Sequence, residues 1–450
     1  MKDLVFRLLV LILFLAFGEC NISAQVVARW KIPTLIPSNS TIREWRSVYS
    51  IGYGFSEEYP SSKCFFLYDP VSPTVNMIEF SDDYMVSDFR VMNDSVFFCG
   101  VDIRSSEGIV GCFDIVNTMI TGTDSILFCK LRIPLSSLRV TISKRMDVYY
   151  DEGATHIAFV GDMVNSASTV ATTVGHAYYD GVNWNYNIYD NTSGDMVFTD
   201  IAASSQYLAA VAKKNMDPNC YVHMFKVSND FLNTPLNAGS CFVLNGRDPL
   251  GDILVEDLSE TEFALSYHFR IGLYSITDVQ LFKADNVSST LILQNTIQTI
   301  HGPMELYTPA WKMKELCFDP STQHLLLLHD AATQVVQTVE SSVFKYDIPN
   351  INSGWAGVSY SPHVVIDKID AATNNGYWSI GEENYGLGFS RETLATAATC
   401  RQDYNLSYIF SAGAVNIAPF LLMPFSNTDF GEIIKVTIHH PYLSANCTEF

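Results

Sequence analysis

Residues 86–115 read VSDFRVMNDSVFFCGVDIRSSEGIVGCFDI. The stretch divides into three short strands: Val86–Met92, then the dense apolar run Ser95–Val101, then Gly108–Ile115. Asn93-Asp94 turns the first into the second, because Asn and Asp side chains bond their own backbone and tolerate a left-handed conformation. A fourth strand, Ile126–Ile133, runs into Pro134. Proline has no N–H to give to a ladder, so that strand suits the outer edge of a sheet.

The same outline returns along the chain. An acid opens each unit, at Asp88, Asp147, Asp200, Asp257, Glu315 and Asp367, at intervals of 59, 53, 57, 58 and 52 residues. A short apolar run follows each acid: Val96–Gly100, Ile157–Gly161, Tyr207–Val211, Phe263–Leu265, Leu325–Leu328 and Tyr377–Gly381. These runs lack polar alternation, as expected of strands covered on both faces by neighbouring sheets. Self-similar units of roughly 40–50 residues with about four strands each are the mark of a β-propeller.

The spacing therefore predicts an all-β chain, a β-propeller of seven blades of four antiparallel strands, with six and eight blades as alternatives. Repeats start near residues 84, 143, 196, 253, 311 and 363. Residues 25–83, about one repeat long but without the acid, form a divergent first blade. A strand at 432–439 pairs into that blade, so the N- and C-terminal segments close the ring. Residues 25–450 form one domain, because no linker or charge block divides them.

Residues 1–24 read as a cleaved signal peptide: Lys2 and Arg7, the apolar run Leu8–Phe17, and small residues ending at Ala24. Lipidation at Cys20 is the rival, disfavoured by Glu19 before it. No other stretch is long enough to span a bilayer. The expected location is secreted, periplasmic or cell-surface. Ten cysteines agree with an oxidising compartment. Cys112 with Cys129 and Cys220 with Cys241 lie symmetrically about hairpin turns and are the expected disulfides. Sequons at Asn39, Asn191, Asn286, Asn405 and Asn446 matter only in a eukaryotic source.

A net charge of −21 argues against nucleic acid and anionic membranes as partners. Catalytic signatures are absent: no Gly-x-Ser-x-Gly elbow, no phosphate loop, and no histidine spacing suited to zinc. No metal and no cofactor are expected. The recurring acids have two readings: a channel-mouth binding or catalytic cluster, or architectural acceptors for backbone N–H groups of adjoining segments. Recurrence in every unit favours architecture. Recognition is assigned instead to aromatics beside Asn, Asp and Gly: Trp184, Tyr186, Trp355 and Tyr385, which suit stacking on sugars or anchoring a protein.

The acid, the Asn-Asp turn and the strands VFFCG and GIVGCFDI resemble those of secreted bacterial β-propeller proteins over most of the mature chain. The Trp-Asp, kelch and Asp-box signatures are missing, so the resemblance is to no named propeller family. It implies an exported scaffold and transfers no catalytic residue. The expected function is a monomeric, non-catalytic protein that binds a glycan, peptide or protein partner on one face of the ring. The alternatives are a propeller glycoside hydrolase or lyase, and a structural part of an envelope assembly.

Overall fold

The computed structural model describes residues 28–442 except 33–34, 57–62, 70–73, 81–82, 124, 133–138, 152, 165–169, 192–195, 215–219, 228–237, 245–251, 272–273, 286–289, 304–309, 333–338, 350–354, 360–363, 374–375, 384–386, 394–405, 409–412, 415–421, 430 and 436. The expected leader and its cleavage site lie outside the described residues, as do Cys20 and Tyr385.

The chain is an all-β propeller of antiparallel sheets. Six sheets are each built of four consecutive strands. Sheet 1 comprises Leu35–Trp45, Tyr49–Ser56, Lys63–Asp69 and Thr74–Phe80. Sheet 2 comprises Tyr84–Met92, Ser95–Asp102, Glu107–Asp114 and Ser125–Lys130. Sheet 3 runs Arg139–Asp151, Ala154–Val164, Val170–Tyr179 and Trp184–Asn191. Sheet 4 runs Met196–Ala203, Tyr207–Lys214, Cys220–Lys226 and Ala238–Leu244. Sheet 5 holds Leu254–Asp257, Glu262–Ile271, Tyr274–Asp285 and Thr290–Pro303. Sheet 6 holds Ala310–Asp319, His324–Ala332, Val339–Asp347 and Trp355–Ser359.

Sheet 7 is composite. Val364–Ala372, Gly376–Glu383 and Leu387–Thr393 supply three strands, and Ala28–Ile32 pairs with the last of them as the fourth. This corrects the expected first blade: residues 28–32 belong to the last sheet, and sheet 1 starts at Leu35. The expected closing strand is also redistributed. Glu432–Lys435 pairs with Ser125–Lys130 of sheet 2, and Thr437–Tyr442 with Thr74–Phe80 of sheet 1. Both are fifth strands on edges already complete.

Apolar clusters fill the seams between neighbouring sheets. Trp45, Tyr53 and Phe65 meet Phe89, Phe98 and Phe113 between sheets 1 and 2. Cys99 and Val110 meet Met146, Ile157 and Phe159 between sheets 2 and 3. Tyr149 and Val160 meet Phe198 and Leu208 between sheets 3 and 4, and one cluster joins sheets 4, 5 and 6. Leu326 and Leu328 meet Ile366 and Tyr377 between sheets 6 and 7. Ile42, Phe66 and Tyr68 meet Trp378 and Ile380 between sheets 7 and 1. A strand lodged between two seams must be apolar on both faces, which is why Leu325–Leu328 is buried throughout. Each Phe or Leu so placed contributes about 1.5–3 kcal/mol relative to exposure.

Tight approach is met by glycine facing an aromatic ring. Gly52, Gly111 and Gly175 lie directly opposite Phe66, Phe98 and Phe159, and a Cβ at Gly175 would fall 2.0 Å from the Phe159 ring. Two-residue hairpins use the expected turn residues: Asn93 takes φ +56°. No helix among the described residues is long and apolar enough to cross a membrane.

The thiols correct one expected disulfide, Cys112 with Cys129. Cys112 and Cys129 are both free. The ladder pairs Cys112 with Leu127 and Val110 with Cys129, so the two thiols stand on the diagonal rather than opposite each other. For the second expected pair the backbone ladder sets Cys220 opposite Leu244 and Cys241 opposite His223, and both side chains lie outside the described residues. Symmetry about a turn failed as a guide for Cys112 and Cys129, whose connection holds a π-helical turn at residues 116–120.

Candidate functional site: the charged hub

The first strands of the sheets face the ring centre, and most bulge there once. The ladder slips between Val86 and Asp88, Ser143 and Arg145, Phe198 and Asp200, Met313 and Glu315, and Ile366 and Lys368. A bulge re-aims the next side chain, and at these five slips the residue delivered is charged: Asp88, Arg145, Asp200, Glu315 and Lys368. Two further slips, at Val140/Ile142 of sheet 3 and Ile36/Thr41 of sheet 1, are followed by Ile142 and Thr41. The recurring acids are thus not all equivalent. Asp147 lies two residues beyond Arg145, Asp367 lies within its bulge, and Asp257 follows Glu256 in a first strand with no slip.

Carboxylates tie each sheet to the next by accepting backbone N–H bonds. Asp88 Oδ2 accepts from Met146 N at 3.1 Å, Asp147 Oδ2 from Ala203 N at 2.7 Å, and Asp200 Oδ2 from Val255 N at 3.0 Å. Glu256 Oε1 accepts from Phe318 N at 3.2 Å, and Asp370 Oδ2 from Glu44 N at 2.7 Å. The two remaining seams use cations, with Arg43 Nε donating to Phe89 O at 3.1 Å and Lys314 Nζ to Ile366 O at 2.6 Å. Asp367 takes a peripheral part, accepting from Ser40 Oγ at 3.2 Å beside Lys314.

Ion pairs cross the centre. Glu315 lies 2.7 Å from Arg145 Nη1, 2.5 Å from Lys368 Nζ and 3.6 Å from Arg43 Nη2, with its side chain 3 % exposed. Its partners come from sheets 3, 7 and 1. Arg90 bridges Asp147 at 3.2 Å and Asp88 at 3.8 Å. Burial alone would raise the Glu315 carboxyl, but Arg145, Lys368 and Arg90 outweigh it and hold it at about 2. Elsewhere burial wins. It pushes Asp88 up to about 6, Asp200 and Asp370 to about 7, and Asp257 to about 8, against the pull of nearby arginines or backbone donors. Asp257 keeps some solvent contact, which screens that rise.

The aromatic candidates fall elsewhere. Trp184 and Tyr186 are each 1 % exposed and sit in the seam of sheets 2 and 3, so neither is a surface contact. Tyr186 Oη accepts from Arg132 N at 3.1 Å and donates to Arg132 O at 2.9 Å. The physical reason is the seam itself, in which both rings pack with Val110, Ile157 and Phe159. Trp355 opens the outer strand of sheet 6, and its side chain lies outside the described residues. The hub brings together five of the six recurring acids and neither buried aromatic.

Sequence reading missed the hub cations Arg43, Arg90, Arg145 and Lys368. A signal existed: a base stands one or two residues from an acid in Asp88/Arg90, Arg145/Asp147, Lys314/Glu315 and Asp367/Lys368. It also missed an imidazole stack in sheet 3. There His156 Nδ1 lies 2.8 Å from His176 Nε2, which Tyr149 Oη also contacts at 2.8 Å. Burial lowers both histidines, so both are neutral near pH 7. Among the described residues, no group of three or more His, Cys, Asp or Glu side chains is placed to hold a metal ion.

No family model and no curated protein matches the chain. Solved structures resemble it in fold. A prolyl endopeptidase structure aligns at TM-score 0.42 and 9 % identity over 85 % of this chain, which spans 50 % of that protein. The β-propeller domain of the trilobed protease from Pyrococcus furiosus, described as having an open velcro topology, aligns at TM-score 0.38 and 6 % identity, covering 83 % of this chain and 93 % of that one. The S. cerevisiae core factor aligns at TM-score 0.40 and 9 % identity, covering 85 % and 64 %.

Proposed function

We propose that this chain is an exported, non-catalytic binding scaffold in which all seven sheets act as blades of one ring, closed at sheet 7 by Ala28–Ile32. The N–H and ion-pair partners of the hub acids support an architectural role for them. The observation that carries the binding reading lies on one face. Val48, Ile120, Tyr150 and Val182 are 40, 47, 56 and 66 % exposed. They belong to turns between first and second strands or between third and outer strands, and strand alternation puts all such turns at the same end of the ring. Exposed apolar side chains from the turns of three successive sheets, all at one end, support a contact surface there. Tyr150 supplies a rigid amphipathic anchor of the kind that recognises a glycan, a peptide or a protein loop.

The test is direct binding of the mature protein to glycan arrays and to a panel of extracellular proteins, repeated with Tyr150→Ala/Val182→Ser. A loss of at least about tenfold, roughly 1.4 kcal/mol, supports this face. A ligand whose affinity ignores both substitutions removes it.

A propeller hydrolase is the second reading. It draws on two hub carboxyls held in opposite directions, Asp257 raised by burial and Glu315 depressed by Arg145 and Lys368, the kind of contrast that separates an acid from a base. Hydrolysis of any bound glycan that is abolished by Asp257→Asn would favour it.

A further inference from the structure

The C-terminal segment adds fifth strands to four sheets. Leu406–Tyr408 and Gly413–Ala414 pair with Thr290–Pro303 of sheet 5, and Leu422–Asp429 pairs with Trp184–Asn191 of sheet 3. Glu432–Lys435 then continues along sheet 2 and Thr437–Tyr442 along sheet 1. The segment therefore runs round the rim against the order in which the sheets were laid down. Each piece covers a row of N–H and C=O groups that an outer strand would otherwise present.

These sheets already have four strands, and sheets 4, 6 and 7 stand with four among the described residues. The side chains described in this segment are those at 429 and 431–433; Glu432 and Ile433 are exposed, Ile433 by 68 %. Ladder bonds to the rim hold the strap, which is how an extended peptide docks on a sheet edge. One corner fixes its register. Gly431 has φ +77°, and a Cβ there would lie 3.0 Å from Trp184 Cδ1 and 3.2 Å from Leu127 Cδ1.

We infer that the outer edges of sheets 1, 2 and 3 form a strand-accepting surface, which the strap occupies as a detachable intramolecular ligand and which residues 422–442 of a second copy of this chain occupy in its place. Register commits the surface to that occupant. Leu422 to Asp429 run opposite Asn191 to Trp184, and Glu432 to Lys435 opposite Phe128 to Ser125. An identical segment reproduces every one of these pairs and the left-handed corner between them. A strand without glycine at the corner strains the backbone and meets Trp184. Among the described residues, the seam clusters beside the strap are built by the four-stranded sheets themselves and contain no strap residue. Reciprocal exchange gives a closed two-fold dimer. Tethering keeps the strap in cis in dilute solution, and mass action favours exchange at high concentration.

The test uses the full chain and a fluorescent synthetic peptide of residues 422–442. Hydrogen exchange at the strap should be at least about 100-fold faster than in the second strands of sheets 1–3. Light scattering after chromatography should show a dimer that grows with concentration and is suppressed by excess peptide. Ile434→Pro breaks the strap ladder opposite Ile126, so it should abolish the dimer and raise peptide affinity at least about tenfold. Gly431→Val should act alike through the corner, and unchanged exchange in the first strands certifies the fold of each variant. Strap amides as slow as the second strands would overturn the inference. So would an Ile434→Pro protein with intact sheets that binds no peptide, a dimer that survives Ile434→Pro, or a protein that binds peptide yet stays monomeric at every concentration.

Discussion

Replacing Glu315 by glutamine isolates the charge at the centre of the ring. The amide matches the carboxylate in size, so no cavity forms. Arg145 Nη1 and Lys368 Nζ, at 2.7 and 2.5 Å, lose the anion they share. Removing one partner of a buried pair costs about 3–5 kcal/mol, because the other charge stays desolvated. Two cations depend on this carboxylate, which puts the expected cost near the upper end, about 4–5 kcal/mol. A pH signature accompanies it. The Glu315 carboxyl is depressed to about 2 from 4.5, so its stabilisation is present above pH 4.5 and is lost as pH falls toward 2. Urea unfolding followed by fluorescence of the buried Trp184 and Trp378 measures both effects. The gap between wild type and Glu315→Gln should be full at pH 7 and shrink below pH 4.5. Arg145→Met in a double-mutant cycle should show coupling of at least about 1.5 kcal/mol. A gap under about 1 kcal/mol at pH 7, or one that ignores pH, would refute the hub as the tie between sheets 3, 6, 7 and 1.

Asp200 has the opposite sign: burial raises it from 3.8 to about 7, so its contribution is complete below pH 3.8 and is lost as pH rises through 7. Asp200→Asn should therefore flatten the fall in urea midpoint between about pH 4 and 7, and an unchanged slope would count against protonated hub acids. Burial lowers His223 from 6.5 to about 4, so acidification below pH 6.5 should destabilise the fold, less so in His223→Phe. Gly175→Ala should cost about 1–3 kcal/mol by overpacking against Phe159, and a neutral result in thermal unfolding would show that the ring gives way. Peptide mapping without reductant should find Cys112 and Cys129 unlinked, and a bridged peptide would contradict the diagonal register.

The fold was legible where packing dictates composition. Strands lodged between two seams must be apolar on both faces, so runs such as Val96–Gly100 and Leu325–Leu328 declared themselves. The hub was half legible: acids stood out, whereas Arg145 and Lys368 fill the same post-bulge position and were invisible to a search for acids. A bulge leaves no residue signature, which is how Asp147 and Asp200 came to be treated as equivalent. Trp184 and Tyr186 misled because their burial depends on packing against sheet 2, which no local residue pattern in sheet 3 announces. Ala28–Ile32 misled similarly, since nothing local tells a strand to join the last sheet rather than the first.

Closure of the ring by the N-terminal strand is tested most directly by a cross-link. In the ladder Trp30 stands opposite Phe389, and cross-strand Cβ atoms lie about 4.5–5.5 Å apart. Full-length protein carrying Trp30→Cys and Phe389→Cys, treated briefly with a short bis-maleimide and mapped by mass spectrometry, should yield a peptide linking positions 30 and 389 when folded and none in urea. Folded protein that labels singly at both positions without a linked product would contradict closure at sheet 7.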